Sequence, residues 1–226
     1  MEFWLVIALL VALGSAIFGV LGAVEQQRAS AVKALAHAWG FDYCKCVAAP
    51  TDDGSAYGHI PDTVRQFQLF NKGRNRYLKN LIKGQRGDVE IYLGDYCFMI
   101  GRGKHRRTHH QTIIFIRSPH LELPNFLLTP ENIFHKIGGL FGYDDIDFDS
   151  RPTFSARYLL KGTDETAIRD CFHDGILSFY ERQEQVCSEG LGGFFLYYKP
   201  RHRVAPNDWK TLMGKVLEVH EQFVQC

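Results

Sequence analysis

A cluster of basic residues is the part of this sequence that most resembles a binding site. Residues 101–115 read GRGKHRRTHHQTIIF, and seven of the first ten are Arg, Lys or His. Arginine and lysine donate charge-assisted hydrogen bonds to phosphate oxygens, so the stretch could bind lipid phosphate or RNA. The candidate ligand-binding residues in this basic hairpin (102–110) are Arg102, Lys104, His105, Arg106 and Arg107.

An ordinary hairpin turn is the alternative interpretation of the same stretch. The two glycines do not complete a GxGxxG pattern, and no GK[ST] follows as in a nucleotide-binding loop. Those loops also need a helix after them, whereas strand-like sequence lies on both sides here. The cations would then contact phosphates as separate point charges, or face solvent and protect the sheet edge from pairing.

Neither metal binding nor covalent catalysis has a supporting motif. Four histidines occur at 105, 109, 110 and 120, but their spacing matches no zinc site, and HExxH and GxSxG are both absent. Cys97 lies between Tyr96 and Phe98, which is typical of a buried thiol. We therefore expect no metal, no cofactor and no catalytic residue, although an enzyme with an unrecognised site stays possible.

The acidic stretch 142–150 reads GYDDIDFDS and begins like a calcium loop. It has Ser150 where that loop needs glycine and Ala156 where it needs glutamate. A half-exposed strand with Ile146 and Phe148 facing inward fits better. Its acids could also pair with the basic hairpin, which would leave no external ligand.

Composition limits the function classes further. Lys plus Arg number 26 and Asp plus Glu number 25 among 226 residues, so the chain lacks the basic excess of a dedicated nucleic-acid-binding protein. The six cysteines show no CxxC and no dense framework. We interpret them as mostly reduced, which fits a cytosolic location.

The N-terminal residues predict a membrane anchor. Residues 3–24 are uncharged and apolar, and about 20 such residues in a helix span a bilayer core. A cleaved signal peptide is the alternative, but the flank Met1-Glu2 carries no cation. Arg28 and Lys33 follow the segment, so the positive-inside rule places the remaining chain in the cytoplasm.

The rest of the chain reads as one α+β domain. We predict an anchor at 1–24, a juxtamembrane helix at 25–40 and a cytosolic domain at 41–226 with a mixed, mainly antiparallel sheet and packed helices. Predicted strands cover 77–82, 89–100, 108–117, 121–128, 154–161, 186–189 and 194–199. Predicted helices begin at Pro61, Thr129, Thr163, Asp174 and Pro206; 44–58 is predicted as a loop, and Gly94-Asp95 as a β-bulge.

Four stretches together resemble a known group of bacterial proteins. They are FQLFNKGRNRYLKNLIKG (67–84), GDYCFMIGRGKHRRTHHQT (94–112), LELPNFLLTPEN (121–132) and DIDFDSRPTFSARYLLKG (145–162). The group has an N-terminal membrane helix and a cytosolic α+β domain of unknown function. This resemblance implies a single-pass protein of the bacterial inner membrane and supplies no catalytic residue.

From these observations we predict a membrane-anchored, non-enzymatic interaction or scaffolding protein. Its expected partners are the lipid bilayer, through residues 3–24, and either another protein or anionic lipid. The alternative is an anionic-ligand binding module that uses the basic hairpin. No specific nucleic acid is expected, because the net charge is only +1.

Overall fold

The computed structural model describes residues 2–48, 61–132 and 144–226, and within these it describes only the backbone of 2–6, 8–18 and 46–48. Eight strands form one sheet in the order β1-β2-β3-β4-β8-β7-β5-β6. The strands are β1 (Asp42–Ala48), β2 (Arg74–Arg86), β3 (Val89–Ile100), β4 (Arg107–Arg117), β5 (Leu123–Pro130), β6 (Tyr158–Gly162), β7 (Cys187–Gly192) and β8 (Phe194–Tyr198). All neighbouring strands are antiparallel, which confirms the predicted class.

Helices cover both faces of this sheet. They are α1 (Glu2–Trp39), α2 (Gln68–Asn71), α3 (Pro152–Ser155), α4 (Glu165–Cys171), α5 (Asp174–Glu181) and α6 (Trp209–Phe223). The larger core lies on one face, where Val32 and Ala36 of α1 pack with residues from α3 to α6. On the other face, Val64, Phe67 and Phe70 cover the sheet from the short segment between β1 and β2. The helix predicted from Pro61 is present as a 3-10 helix at Asp62–Gln66 followed by α2.

Burial on both faces explains the sequence pattern of β3. The predicted bulge at Gly94-Asp95 is wrong, because β3 pairs with β4 without interruption from Glu90 to Ile100. Apolar residues occur at both odd and even positions of β3, because the side chains on each face of the strand pack into a core. The irregularity lies in the partner strand β2, where the register shifts around Asn80, whose φ is 51°.

Three further predictions differ from the structure. Residues 42–48 form edge strand β1 rather than a loop, and 49–58 lie outside the described residues. The helix predicted from Thr129 is wrong at its start, since Thr129 and Pro130 pair with β6; its later part, 133–137, is not described. The strand predicted at 154–161 begins only at Tyr158, after the one-turn helix α3.

Helix α1 continues without a break from the predicted anchor into the predicted juxtamembrane helix. Over the described residues, no helix meets the combination of length and mean hydropathy required for a membrane span. The C-terminal half of α1 belongs to the core, since Val32 and Ala36 are fully buried. Residues 25–39 are therefore part of the folded domain.

Candidate functional site

A buried ion pair joins α1 to the middle of the sheet. Arg28 binds Asp95 on β3 with two of its three guanidinium nitrogens, from Nε to Oδ2 and from Nη2 to Oδ1, each at 2.7 Å. The Asp95 side chain is completely buried. Arg28 also donates to the carbonyl oxygen of Val204 at 2.8 Å and lies over the ring of Trp209. The planar guanidinium thus ties α1 to β3 and to the segment before α6.

A second arginine completes this cluster. Arg203 contacts Glu25 on α1 at 2.5 Å and Asp95 at 3.2 Å. Burial by itself would raise the pKa of Asp95, but the hydrogen bond and charge of Arg28, with help from Arg203, outweigh burial and hold that pKa below its ordinary value. Asp95 is therefore a charged, fully paired structural carboxylate and is not available as an acid or base.

The predicted site residues lie at the turn between β3 and β4. Gly103–His105 form one 3-10 turn, and Gly101 and Gly103 have φ values of 79° and 55°, which glycine adopts without strain. We refer to the five candidate residues as the basic tip: Arg102, Lys104, His105, Arg106 and Arg107. All five are exposed.

The side chains of the basic tip are all exposed to solvent at the turn. Within the described parts of the chain, none of the five side chains forms an ion pair or hydrogen bond. Arg74 of β2 donates to the carbonyl oxygen of Gly101 at 2.9 Å and adds a fifth cation to the four Arg and Lys residues of the tip. Such an arrangement suits many weak contacts with a charged surface better than one buried anion.

Residues of the acidic stretch form hydrogen bonds with neighbouring elements of the fold. Asp145 accepts a hydrogen bond from the backbone N–H of Leu160 at 2.9 Å. Ile146 is buried as predicted, but residues 144–148 do not form the predicted strand. Arg169 of α4 donates to the carbonyl oxygen of Asp147 at 2.6 Å. The suggested pairing between these acids and the basic hairpin does not occur among the described residues.

The histidines and thiols offer no activated group. Among the described residues, no group of three or more His, Cys, Asp or Glu side chains could hold a metal ion. His110 Nδ1 lies 3.0 Å from Cys97 Sγ, but burial raises the pKa of Cys97 to about 11. Cys97 is therefore a neutral buried thiol, as its sequence context indicates.

One cysteine pair is oxidised, an exception to the prediction of mostly reduced cysteines. Cys171 at the end of α4 and Cys226 form a disulfide, with their Cα atoms 4.8 Å apart. The two positions are 55 residues apart in the sequence, so no local spacing signals the pair. Cys97 and Cys187 form no disulfide.

A buried glutamate on the opposite face was not anticipated from the sequence. Glu189 of β7 is 2% exposed and accepts hydrogen bonds from the backbone N–H groups of Gln68 and Leu69. These bonds attach the segment that covers the second face. Burial raises the pKa of Glu189 from 4.5 to about 7, more than the two donors and the charge of Lys72 lower it.

This glutamate should make stability depend on pH. The folded state keeps the Glu189 proton up to about pH 7, whereas the unfolded chain loses it near pH 4.5. The free energy of unfolding should therefore fall by up to about 3 kcal/mol as the pH rises through this window, and then level off. Urea unfolding at pH 5 and pH 8 measures the difference, and Glu189→Gln should remove it. An equal pH dependence in both proteins would contradict the assignment.

Taken together, these features define an α+β domain with one antiparallel sheet to which a long N-terminal helix is fastened by buried charges. No family model matches the sequence, and no curated protein sequence is significantly similar. The crystal structure of the mycobacterial trehalose monomycolate transport factor A, TtfA, has a similar fold, with a TM-score of 0.57. The sequences are 12% identical, and the match covers 88% of this chain and 93% of TtfA. At this identity, the similarity concerns the fold alone.

Proposed function

We propose that this chain is a membrane-anchored, non-enzymatic interaction module. In this proposal the uncharged residues 3–24 lie in a bacterial inner membrane and the α+β domain stands at its surface. The observation that carries the proposal is the continuity of α1: the helix that begins in the apolar segment ends inside the domain core. A domain held in this way keeps a set orientation toward the membrane, which an interaction surface needs.

The side-chain chemistry supports an interaction role over catalysis. The buried groups that could act as acids or nucleophiles are either paired or neutral: Asp95 binds two arginines and Cys97 is a thiol. A groove of about 460 Å³ lies between α1 and β1–β2, and Glu25 at its edge is already bound to Arg203. No combination of nucleophile, base and orienting group stands out among the described residues.

The fold similarity offers an analogy for the process in which the domain acts. TtfA is described as a transport factor, and its fold resembles that of this chain over most of both lengths. By this analogy of fold, we propose that the domain acts as a non-enzymatic factor in a transport process. The interaction would take place beside the bilayer, where α1 holds the domain.

Two observations bear on the side of the membrane, and they point in opposite directions. Arg28 and Lys33 follow the apolar segment and favour a cytoplasmic domain. The disulfide between Cys171 and Cys226 is typical of an oxidising compartment instead. We retain the cytoplasmic orientation as the proposal, because positive charges beside a span act directly on its insertion.

Membrane extraction tests the anchor. The full chain should stay in the membrane pellet after alkaline carbonate treatment, whereas Leu10→Lys/Leu13→Lys should be released, since each charge at the centre of a span costs about 3 kcal/mol. The matched variant Leu10→Ile/Leu13→Ile keeps the segment apolar and should remain in the pellet. Release of the unmodified chain by carbonate would refute the proposed anchor.

A further inference from the structure

The described strands β2 to β4 carry an uneven distribution of charge. Residues 63–87 contain seven Arg or Lys and no acid, and residues 96–121 contain five and no acid. The acids Asp88 and Glu90 lie at the end of the strands opposite the basic tip, where Glu90 pairs with Arg117. Asp95 is buried and bound to two arginines. Among the residues of β2 to β4, the end of the sheet that carries the tip is therefore positive.

The direction of α1 along β3 follows from two contacts. Phe41, just after α1, packs against Gly84, where an added Cβ atom would overlap its ring. Gly84 pairs with Ile91 near the start of β3. Arg28, which lies earlier in α1, contacts Asp95 further along β3. Moving toward the N-terminus of α1 therefore means moving along β3 toward the basic tip.

Measured from the Arg28–Asp95 ion pair, the basic tip extends at least as far as the position on α1 where the apolar segment 3–24 begins. At about 3.3 Å per strand residue, Arg102 lies roughly 23 Å along the chain beyond Asp95. At 1.5 Å per helix residue, Val24 lies only about 6 Å beyond Arg28. The basic tip and the start of the apolar segment thus project from the same end of the domain.

We propose that the basic tip binds the phosphate groups of anionic lipids in the membrane that holds residues 3–24. This proposal rests on the membrane anchor proposed above. The exposed cations of the tip are complementary to an anionic leaflet, whose potential acts within about 10 Å of the surface. Anchor and tip together would contact the bilayer at two points, which fixes the tilt of the domain.

Lysine acetylation of the full chain in nanodiscs tests the proposal. Lys104 lies in the tip, and Lys83 lies toward the opposite end of the same strands and serves as the internal reference. The ratio of Lys104 to Lys83 acetylation should fall about fivefold when neutral phosphatidylcholine is replaced by a mixture with phosphatidylglycerol. About 0.5 M salt should restore the ratio, because it screens the attraction.

Matched variants separate the tip from general charge effects. Arg102→Gln/Arg106→Gln should reduce the lipid-dependent change to less than about twofold. Arg86→Gln/Arg117→Gln removes two cations from the opposite end and should retain the full change. A Lys104 ratio that is the same in both lipids overturns the proposal in favour of a solvated tip. Protection by an added RNA oligonucleotide, without any lipid effect, overturns it in favour of nucleic acid.

Incorporation into the nanodiscs is measured first and distinguishes the two proposals. If the chain elutes without lipid, the proposed membrane anchor is refuted, and the tip proposal, which depends on the anchor, is refuted as well. A chain that elutes with lipid but shows no Lys104 protection leaves the anchor intact and refutes the tip proposal alone. Free inorganic phosphate at millimolar concentration should not protect Lys104, because the five side chains are exposed and none of them is part of a buried anion site.

Discussion

Replacing Arg28 with alanine should lower the free energy of unfolding by about 4 kcal/mol, because it leaves the buried carboxylate of Asp95 with only part of its compensation. The Asp95 side chain has no exposure, and Arg28 supplies two of its hydrogen bonds at 2.7 Å. Arg203 remains 3.2 Å away but is shared with Glu25. Urea unfolding of the full chain in a mild detergent, followed by tryptophan fluorescence, measures the loss.

An exposed ion pair provides the matched control. Glu218→Ala removes the contact between Arg182 and Glu218, whose side chains are 59% and 53% exposed, and should cost less than about 1 kcal/mol. Adding Asp95→Asn to Arg28→Ala should recover part of the loss, since the uncompensated charge is then gone. If Arg28→Ala and Glu218→Ala cost the same, the ion pair does not hold α1 to the sheet.

The same ion pair connects the fold to the proposed membrane contact. It sets the direction of α1 relative to β3, and this direction brings the basic tip to the end of the domain from which residues 3–24 extend. Arg28→Ala should therefore also weaken the lipid-dependent protection of Lys104, although no charge of the tip has been changed. A stabilising contact in the core thus has a consequence for the proposed binding surface.

The disulfide between Cys171 and Cys226 should contribute a comparable stability. Cross-linking positions that are 55 residues apart restricts the unfolded chain, which corresponds to about 4 kcal/mol in the chain-entropy description. Cys226→Ser should lower the free energy of unfolding by this amount in oxidising buffer. Dithiothreitol should destabilise the unmodified protein equally and leave Cys226→Ser unchanged. If dithiothreitol destabilised both proteins by the same amount, its effect would not come from this disulfide.

The same pair of cysteines reports on the compartment of the domain. Alkylation in intact cells, before lysis, traps each cysteine in the state it has there. A cytoplasmic domain should yield Cys171 and Cys226 as thiols, because cytosolic thiols are kept reduced. An oxidised pair would contradict the cytoplasmic orientation proposed from Arg28 and Lys33.

The local structure was largely predictable because local interactions determine it. Helix α4 begins close to the predicted start at Thr163, where Asp164 caps it by accepting a hydrogen bond from the N–H of Ala167 at 3.0 Å. The hairpins β3–β4 and β7–β8 follow from short turns between β-branched and aromatic runs. The glycines of the basic hairpin predicted a turn, and the structure places a turn there. Each of these signals lies within a few residues of the element that it specifies.

The sequence by itself therefore determined the α+β class, the elements that carry caps or turns, and the turn that carries the basic tip. Only the tertiary structure decided that both faces of β3 are buried and that Asp95 and Glu189 are structural carboxylates. It also decided that Cys171 joins Cys226. Asp95 meets Arg28 across 67 residues and Glu189 meets Leu69 across 120. Contacts over such separations depend on strand order, and a periodic pattern in one segment carries no information about which distant segment will cover it.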